Sequence, residues 1–239
     1  ADGKTAYYAS DREDSKGGLD IYTFEMREDV RPLRTLWVQG KVFDINTKNG
    51  LPSAVELVDL STGQALSKVQ TDEDGFYLVT LPLGKDYLFN VNRKGYLFYS
   101  GNFPFSQKTP DSTYQIDIPL QPIEMNANII LKNIFFESNA YNLKTESASE
   151  LDILVQLLNE NPALKIQING HTDNIGKAAD NMTLSNNRAK AVVAYITSKG
   201  IAPARLTFKG FGASKPIADN ASEEGRAQNR RTELQVTGN

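Results

Sequence analysis

The sequence has no cysteine and a single histidine, His171, among its 239 residues. The lack of cysteine excludes disulfides, thiolate metal ligands and a cysteine nucleophile. One imidazole cannot build a zinc site made of several histidines. Long apolar runs are missing too, since none approaches the roughly 18 residues that a membrane-spanning helix needs, and the start of the chain lacks the apolar core of a signal peptide. We therefore expect no transmembrane segment, no metal and no cofactor, with any targeting sequence absent or already removed.

Clusters of basic residues are scarce as well. The chain carries 26 Lys and Arg against 29 Asp and Glu, a formal net charge of -3. This balance argues against binding to the phosphate backbone of a nucleic acid as the main activity. The hydrophobic fraction of 40% and the charged fraction of 23% are those of an ordinary folded protein. The length suits one large domain or two smaller ones, each with its own core.

Residues 1–30 carry the pattern of a single hairpin. Two short strands are predicted at 5–10 and 19–26, joined by a polar loop that ends in Gly17-Gly18. The stretch YYASDREDSKGGLDIY resembles a repeat of bacterial β-propellers from periplasmic proteins, which implies the remnant of a propeller blade and a longer parent protein. The alternative is a simple hairpin packed on the next domain, because a lone hairpin is not a stable domain.

Residues 36–120 show short alternating apolar runs between turns that contain glycine. This spacing predicts a small antiparallel β-sandwich. The patterns V-x-G-x-V, A-x-V-x-L and T-D-x-D-G-x-F/Y resemble the carboxypeptidase regulatory-like domain, a transthyretin-like module, and imply a noncatalytic accessory fold. A calcium loop starting at Asp72 would need glycine and glutamate where Tyr77 and Leu83 stand. We therefore predict a turn there.

A domain boundary is predicted near Gln121, so that residues 124–239 form a third region. Strand-like and helical periodicities alternate in it, with Ser147 and Glu150 placed as a capping box and a second helix predicted at 183–199. The order β-α-β-α-β-β predicts an α/β sandwich whose helices cover one face of a mixed sheet. The fold class is thus α+β with several domains, a β-sandwich followed by an α/β sandwich.

Asp173 and Arg188 are the charged residues that this pattern singles out. Arg188 lies on the apolar stripe of the second helix, four residues after Leu184 and four before Val192, and burying its guanidinium without an anion would cost several kcal/mol. Asp173 follows the carboxyl end of a strand, where open α/β sheets present ligand-binding loops. Held apart across a cleft, the two would suit a zwitterion, with the ammonium at Asp173 and the carboxylate at Arg188. The alternative is a salt bridge between them that serves only the fold.

Four motifs stand in this region: H-T-D-x-x-G from 171, N-x-x-L-S-x-x-R-A from 181, G-I-x-x-x-R-L-x-x-x-G-F-G from 200, and N-x-x-x-E-G-R-x-x-N-R-R-x-E-L from 220. Over residues 126–237 they resemble the OmpA-like C-terminal domain, which binds peptidoglycan noncovalently. The resemblance implies that Asp173 and Arg188 hold the diaminopimelate residue of the stem peptide, whose side chain ends in a free ammonium and carboxylate. A lysine-type stem would lack that carboxylate.

The resemblance also supplies the remaining candidate site residues. Those implied to bind the ligand besides Asp173 and Arg188 are Thr172, Asn181, Leu184, Phe136, Glu137, Ser138 and Asn139. Glu137 departs from the aspartate that the family often has. We interpret His171 as structural or at the rim, because no nucleophile with an orienting acid accompanies it. Of Arg230 and Arg231, at least one is expected to hold a carboxylate such as Glu233 or to border the pocket.

The leading functional hypothesis is a noncatalytic anchor in the periplasm. It would bind the diaminopimelate-type wall and tether outer-membrane or secretion-complex proteins to it. A propeller, a sandwich and an OmpA-like domain in series resemble periplasmic proteins of Bacteroidetes-type bacteria, including the type IX secretion system. One alternative is a hydrolase of the peptidoglycan peptide, limited to a carboxylate-based mechanism. Another is a sandwich that binds glycans or a protein, with a vestigial C-terminal cleft.

Overall fold

The computed structural model describes residues 3–31, 34–108, 113–137 and 139–239. The chain begins with the predicted hairpin, in which β1 (Thr5–Ser10) pairs antiparallel with β2 (Asp20–Glu25). Tyr8 and Tyr22 lie opposite each other, and their rings stack with centroids 5.6 Å apart. The hairpin is thus confirmed, whereas its origin in a propeller blade stays a prediction.

The strands that follow form two sheets around one apolar core. They are β3 (Thr35–Asp44), β4 (Ala54–Asp59), β5 (Ala65–Gln70), β6 (Phe76–Pro82), β7 (Tyr87–Val91), β8 (Tyr99–Phe103), β9 (Thr113–Gln115) and β10 (Ile118–Leu120). One sheet has the order β10-β3-β6, with β9 also paired to β3, and the other has the order β5-β4-β7-β8. Val38 and Ile118 of the first sheet share the core with Val55 and Phe89 of the second. The alternating sequence therefore forms two sheets that share one core, while the predicted transthyretin-like sandwich stays a prediction.

The prediction of an antiparallel sandwich is wrong for one sheet. Both β9 and β10 run parallel to β3, with Ile118 opposite Val42. Between β9 and β10 the backbone pairing with β3 is interrupted. There the Asp117 carboxylate accepts a hydrogen bond from the Lys41 backbone amide at 3.0 Å. Alternation and turn signals report which residues face the core but not the direction in which a distant strand pairs. The sequence patterns also missed β8, whose tyrosine, serine, glycine and asparagine residues lack clear alternation.

The rest of the described chain forms a sheet with helices against it. Its elements are β11 (Asn128–Leu131), α1 (Ala148–Glu160), β12 (Lys165–Gly170), α2 (Ala178–Ser198), β13 (Leu206–Gly210), α3 (Glu223–Asn229) and β14 (Thr232–Gly238). The sheet order is β11-β14-β12-β13, with β12 and β13 parallel and the other pairs antiparallel. Leu154 of α1 and Val192 of α2 share a core with Ile168 and Leu234 of the sheet. This confirms the mixed sheet, with α1 and α2 packed against it in one core.

Two details of the predicted order are wrong. A third helix, α3, lies between β13 and β14, so the order is β-α-β-α-β-α-β. This helix is short and polar, and its start is fixed by the Ser222 hydroxyl, which accepts the Gly225 amide at 3.0 Å, so apolar periodicity could not reveal it. The second helix begins at Ala178 rather than near residue 183. None of the helices described is long and apolar enough to cross a membrane.

The predicted capping box at Ser147 and Glu150 is also wrong. Ser147 precedes α1, but its hydroxyl bonds the backbone N–H and carbonyl of Phe135 at 2.8 and 3.1 Å. The Glu150 carboxylate accepts two hydrogen bonds from Asn133. Both side chains therefore fix the segment that follows β11 instead of satisfying the amides at the helix start.

The helix that carries Arg188 lies directly on the sheet. A Cβ atom added at Gly170 would stand 2.1 Å from the Ser185 carbonyl oxygen, and one at Gly210 would stand 2.4 Å from the Asn186 amide nitrogen. Only glycine permits this approach between α2 and the ends of β12 and β13. The first half of α2 is thereby held close to the loop after β12.

Candidate functional site

A cavity of about 840 Å³ opens between the segment after β11, the loop after β12 and the first half of α2. The candidate residues that line it are Phe136, Glu137, Asn139, Thr172, Asp173, Asn181, Leu184 and Arg188. Ser138 falls outside the described residues. The structure thus brings these predicted residues together around one space, and their role in binding stays a prediction.

Arg188 presents its guanidinium to the cavity. Its Nε donates to the Ala140 carbonyl at 2.9 Å, and its guanidinium carbon lies 5.0 Å from the centre of the Phe136 ring. Burial, followed by repulsion from Arg230, lowers the pKa of Arg188 below the usual value for arginine, and Asp173 acts in the opposite direction. In the part of the chain that is described, no carboxylate lies within ion-pair distance of Arg188. Its two terminal nitrogens are therefore available to an anionic group.

Asp173 is nearly buried and has a different partner. Its Oδ2 accepts a hydrogen bond from Arg230 Nη1 at 2.7 Å, and its Oδ1 accepts the Ile175 amide at 3.0 Å. Arg230 in turn donates to Glu223 at 2.6 Å. The salt bridge between Asp173 and Arg188, left open as an alternative, is not among the ion pairs of the described residues. An ionised carboxylate has about four acceptor positions, so Asp173 retains capacity for a ligand ammonium.

Glu146 is a cavity residue that the sequence reasoning missed. It lines the same cavity, it is exposed, and no ion pair or side-chain hydrogen bond engages its carboxylate within the described ranges. In the nearby Glu137, by contrast, the carboxylate oxygen Oε1 lies 3.6 Å from Lys144 Nζ. Glu146 therefore offers a second acceptor for a positively charged ligand group. Its position just before α1 gave no signal, because its neighbour Ser147 suggested only a helix start.

Thr172 and Asn181 shape the loop after β12 from within. The Thr172 hydroxyl donates to the Asp173 carbonyl at 2.9 Å, and Asn181 donates to the carbonyls of Asp173 and Ile175 at 3.3 and 2.9 Å. The Thr172 hydroxyl and the Asn181 side-chain nitrogen are thus engaged with the backbone, and the two residues hold Asp173 in place. Leu184, one turn before Arg188, contributes a half-buried apolar wall.

His171 lies outside this arrangement of charges. Its ring stacks on Phe211 with centroids 5.1 Å apart and an angle of 8° between the planes. Its Nε2 lies 3.3 Å from Glu233, whose other oxygen accepts from Arg231 at 2.6 Å. The burial of His171 supports its interpretation as structural. Arg231 holds Glu233 and Arg230 borders the cavity, which confirms the prediction for both arginines.

Glu233 provides a test of this buried cluster through its pH dependence. Burial raises the pKa of Glu233, but the contacts with His171, Asn128 and Arg231 outweigh burial and bring the pKa to about 2. A lowered pKa means that the stabilisation is present above the usual glutamate value and is lost as the pH falls towards 2. We expect Glu233→Gln to reduce the free energy of unfolding by roughly 3 kcal/mol near neutral pH. The difference from the wild type should vanish near pH 2.

Urea unfolding of both proteins between pH 2 and 7 measures this difference. Glu124→Gln, at an exposed position, is the matched control and should leave the profile unchanged. A difference between Glu233→Gln and the wild type that stays constant with pH would contradict the assigned charge state of Glu233.

Residues 135–230, which provide most of the cavity, match the OmpA family. The chain therefore carries an OmpA-family domain in this segment. Outer membrane protein A of Bordetella avium is 40% identical over 119 residues, covering 49% of this chain and 61% of that protein. Peptidoglycan-binding protein ArfA of Mycobacterium bovis is 45% identical over 75 residues, covering 31% of this chain and 23% of that protein. The matched segment thus spans less than two thirds of either relative.

A solved structure is also similar to this part of the chain. The peptidoglycan-associated lipoprotein from Burkholderia pseudomallei aligns with a TM-score of 0.40 and 27% identity, covering 44% of this chain and 88% of that one. Among the described residues, no group of three or more His, Asp or Glu side chains is arranged to hold a metal ion.

Proposed function

We propose that this protein is a noncatalytic anchor that binds peptidoglycan in the cavity between Asp173 and Arg188. The observation that carries the proposal is the half-buried Arg188 guanidinium, whose terminal nitrogens have no partner in the described residues. Desolvating a guanidinium without an anion is unfavourable, so the site gains free energy when a carboxylate enters. The OmpA family match over the same residues and the relative named as peptidoglycan-binding support this function.

The ligand group that we propose is the side-chain end of diaminopimelate in the stem peptide. Its carboxylate would bind the free nitrogens of Arg188, and its ammonium would bind Asp173 or Glu146. Arginine is suited to this task, because its planar fork binds a carboxylate through two parallel hydrogen bonds. Phe136 stacks under the guanidinium and limits its rotation, so the donors are oriented before the ligand arrives.

We further propose that the three regions of the chain have different roles. Residues 124–239 would bind the wall, residues 36–120 would contact outer-membrane or secretion-complex proteins, and residues 1–30 would derive from a propeller. This series resembles the type IX secretion system component PorE, and the resemblance supports a tether in the periplasm beside the outer membrane. The name of the relative Outer membrane protein A also supports a location in the cell envelope.

Sedimentation with purified sacculi tests the anchor. The protein should cosediment with diaminopimelate-type sacculi, and muropeptides incubated with it should remain uncleaved. Release of cleavage products would favour the alternative of a peptide hydrolase. Binding that persists when both Asp173 and Arg188 are replaced would favour the other alternative, in which the sandwich binds and the cavity is vestigial.

A further inference from the structure

The segment that follows β11 lines one side of the cavity, and hydrogen bonds fix it at its first residue. This cavity loop comprises residues 133–140, of which 138 is not described. Asn133 is buried, and its backbone and side-chain nitrogens donate to Glu150 of α1 at 3.1 and 2.7 Å. Its side-chain nitrogen also donates to the Ser100 hydroxyl at 3.0 Å, and its side-chain oxygen accepts from Asn102 at 2.5 Å. Two of its three partner residues therefore belong to β8 of the sandwich.

The strand β8 is itself fixed to the α/β part of the chain. Leu97 and Phe98, directly before β8, are buried in the core that contains α1, α2 and their sheet. The Leu97 amide donates to the Gln121 carbonyl at 2.8 Å, and Tyr96 pairs with Pro122. The sandwich therefore meets the cavity loop through a packed contact and not through a free linker.

The other end of the cavity loop holds Arg188. Phe136 provides the ring under the guanidinium, and the Ala140 carbonyl accepts from Nε. Between these ends, the Phe135 backbone is held by Ser147 and its carbonyl also accepts the Lys144 amide at 2.9 Å. A short and continuous set of contacts thus runs from β8 through the loop to the guanidinium.

We propose that β8 of the sandwich positions the cavity loop, and through it Arg188, so that Ser100 and Asn102 are positioning residues for wall binding. This inference rests on the proposed function of the cavity. Neither residue lines the cavity, so any effect on affinity must pass through Asn133 and the loop. A partner that displaces β8 would consequently weaken the hold of the protein on the wall, which couples the sandwich to the site.

The test is an isosteric substitution at the exposed Asn102. In the full chain, Asn102→Asp replaces the donor to Asn133 by a repelling oxygen, and we expect the Kd for a diaminopimelate-containing muropeptide to rise about three- to thirtyfold. Asn102→Gln keeps an amide donor at this position, so its Kd should be close to that of the wild type. The matched control is Asn92→Asp, because Asn92 donates to Glu160 of α1 at 3.3 Å and links the same two parts of the chain away from the cavity loop. It should bind like the wild type.

Isothermal titration of these variants is combined with hydrogen exchange of the loop amides in the absence of ligand. Faster exchange in residues 133–140 of Asn102→Asp, but not of Asn92→Asp, is the expected result. Wild-type affinity and exchange in Asn102→Asp, or an equal loss in Asn92→Asp, would overturn the inference while leaving the anchor intact. If the wild type binds no muropeptide, the anchor proposal fails, and the exchange data alone decide whether β8 positions the loop.

Discussion

An Arg188→Ala variant is expected to lose about 2 to 5 kcal/mol of binding to diaminopimelate-type peptidoglycan, which raises Kd by about thirtyfold to several thousandfold. The loss should be large because Arg188 has no carboxylate partner in the described part of the protein and its guanidinium is half buried. The ligand carboxylate would therefore supply the missing charge, so the loss of Arg188 should weaken the bound state much more than it weakens the free fold. Titration with a soluble muropeptide measures the effect directly.

Two controls accompany the Arg188→Ala variant. Arg188→Lys keeps the positive charge but lacks the planar fork, so it should retain only part of the affinity. Lys190→Ala removes a positive charge from an exposed position on the same helix and should bind like the wild type. Affinity within threefold of the wild type for Arg188→Ala would contradict the proposed site. Sacculi multiply weak contacts through their repeating structure, so the soluble muropeptide is the stricter ligand.

The stability of the Arg188→Ala variant separates the binding role from a structural one. Burial and Arg230 both lower the pKa of Arg188, so the charged guanidinium is disfavoured where it lies. Its removal should consequently cost the fold little beyond the contact with Phe136 and the hydrogen bond to Ala140. Asp173 differs, because it orders Ile175 and holds Arg230. For Asp173 the suitable variant is Asp173→Asn, which keeps the acceptor for the Ile175 amide.

The sequence indicated most of the cavity because its residues come from short motifs. Asp173 and Arg188 are 15 positions apart on one strand–loop–helix unit, so local periodicity was enough to place them near each other. The bond between Asp173 and Arg230 joins residues 57 positions apart, and it depends on α3, which apolar periodicity did not reveal. The pattern could identify Arg230 as a border residue, but the choice of its carboxylate required the three-dimensional arrangement.

The contact between the sandwich and the α/β region could not be predicted from the sequence for a related reason. Ser147 and Glu150 have the spacing of a capping box, and local propensity favoured that role. In the structure, Glu150 is buried beside β8, and burial raises its pKa in spite of the hydrogen bonds from Asn133. A buried carboxylate needs donors, and those of Glu150 come from Asn133, which is itself held by a strand that alternation had not detected. The tertiary environment therefore overrode the local signal at both residues.

The second large effect is expected from the ligand. A muropeptide with lysine in place of diaminopimelate should bind the wild type about 2 to 4 kcal/mol more weakly, since the lysine side chain keeps the ammonium but lacks the carboxylate and leaves Arg188 desolvated and unpaired. A diaminopimelate muropeptide whose side-chain carboxyl is amidated retains the shape without the charge, and it should bind nearly as weakly. Titration of the three ligands measures the discrimination.

Titration of the same ligands into Arg188→Ala identifies the residue that recognises the side-chain carboxylate. If Arg188 binds the carboxylate, the preference for diaminopimelate over lysine should disappear in this variant, because the two changes remove the same interaction and are not additive. A preference that survives in Arg188→Ala would assign recognition of the carboxylate to another cation that lines the cavity, either Arg230, which already bonds Asp173 and Glu223, or Lys144. The ammonium is common to both ligands, so Asp173 and Glu146 contribute affinity without contributing to this choice.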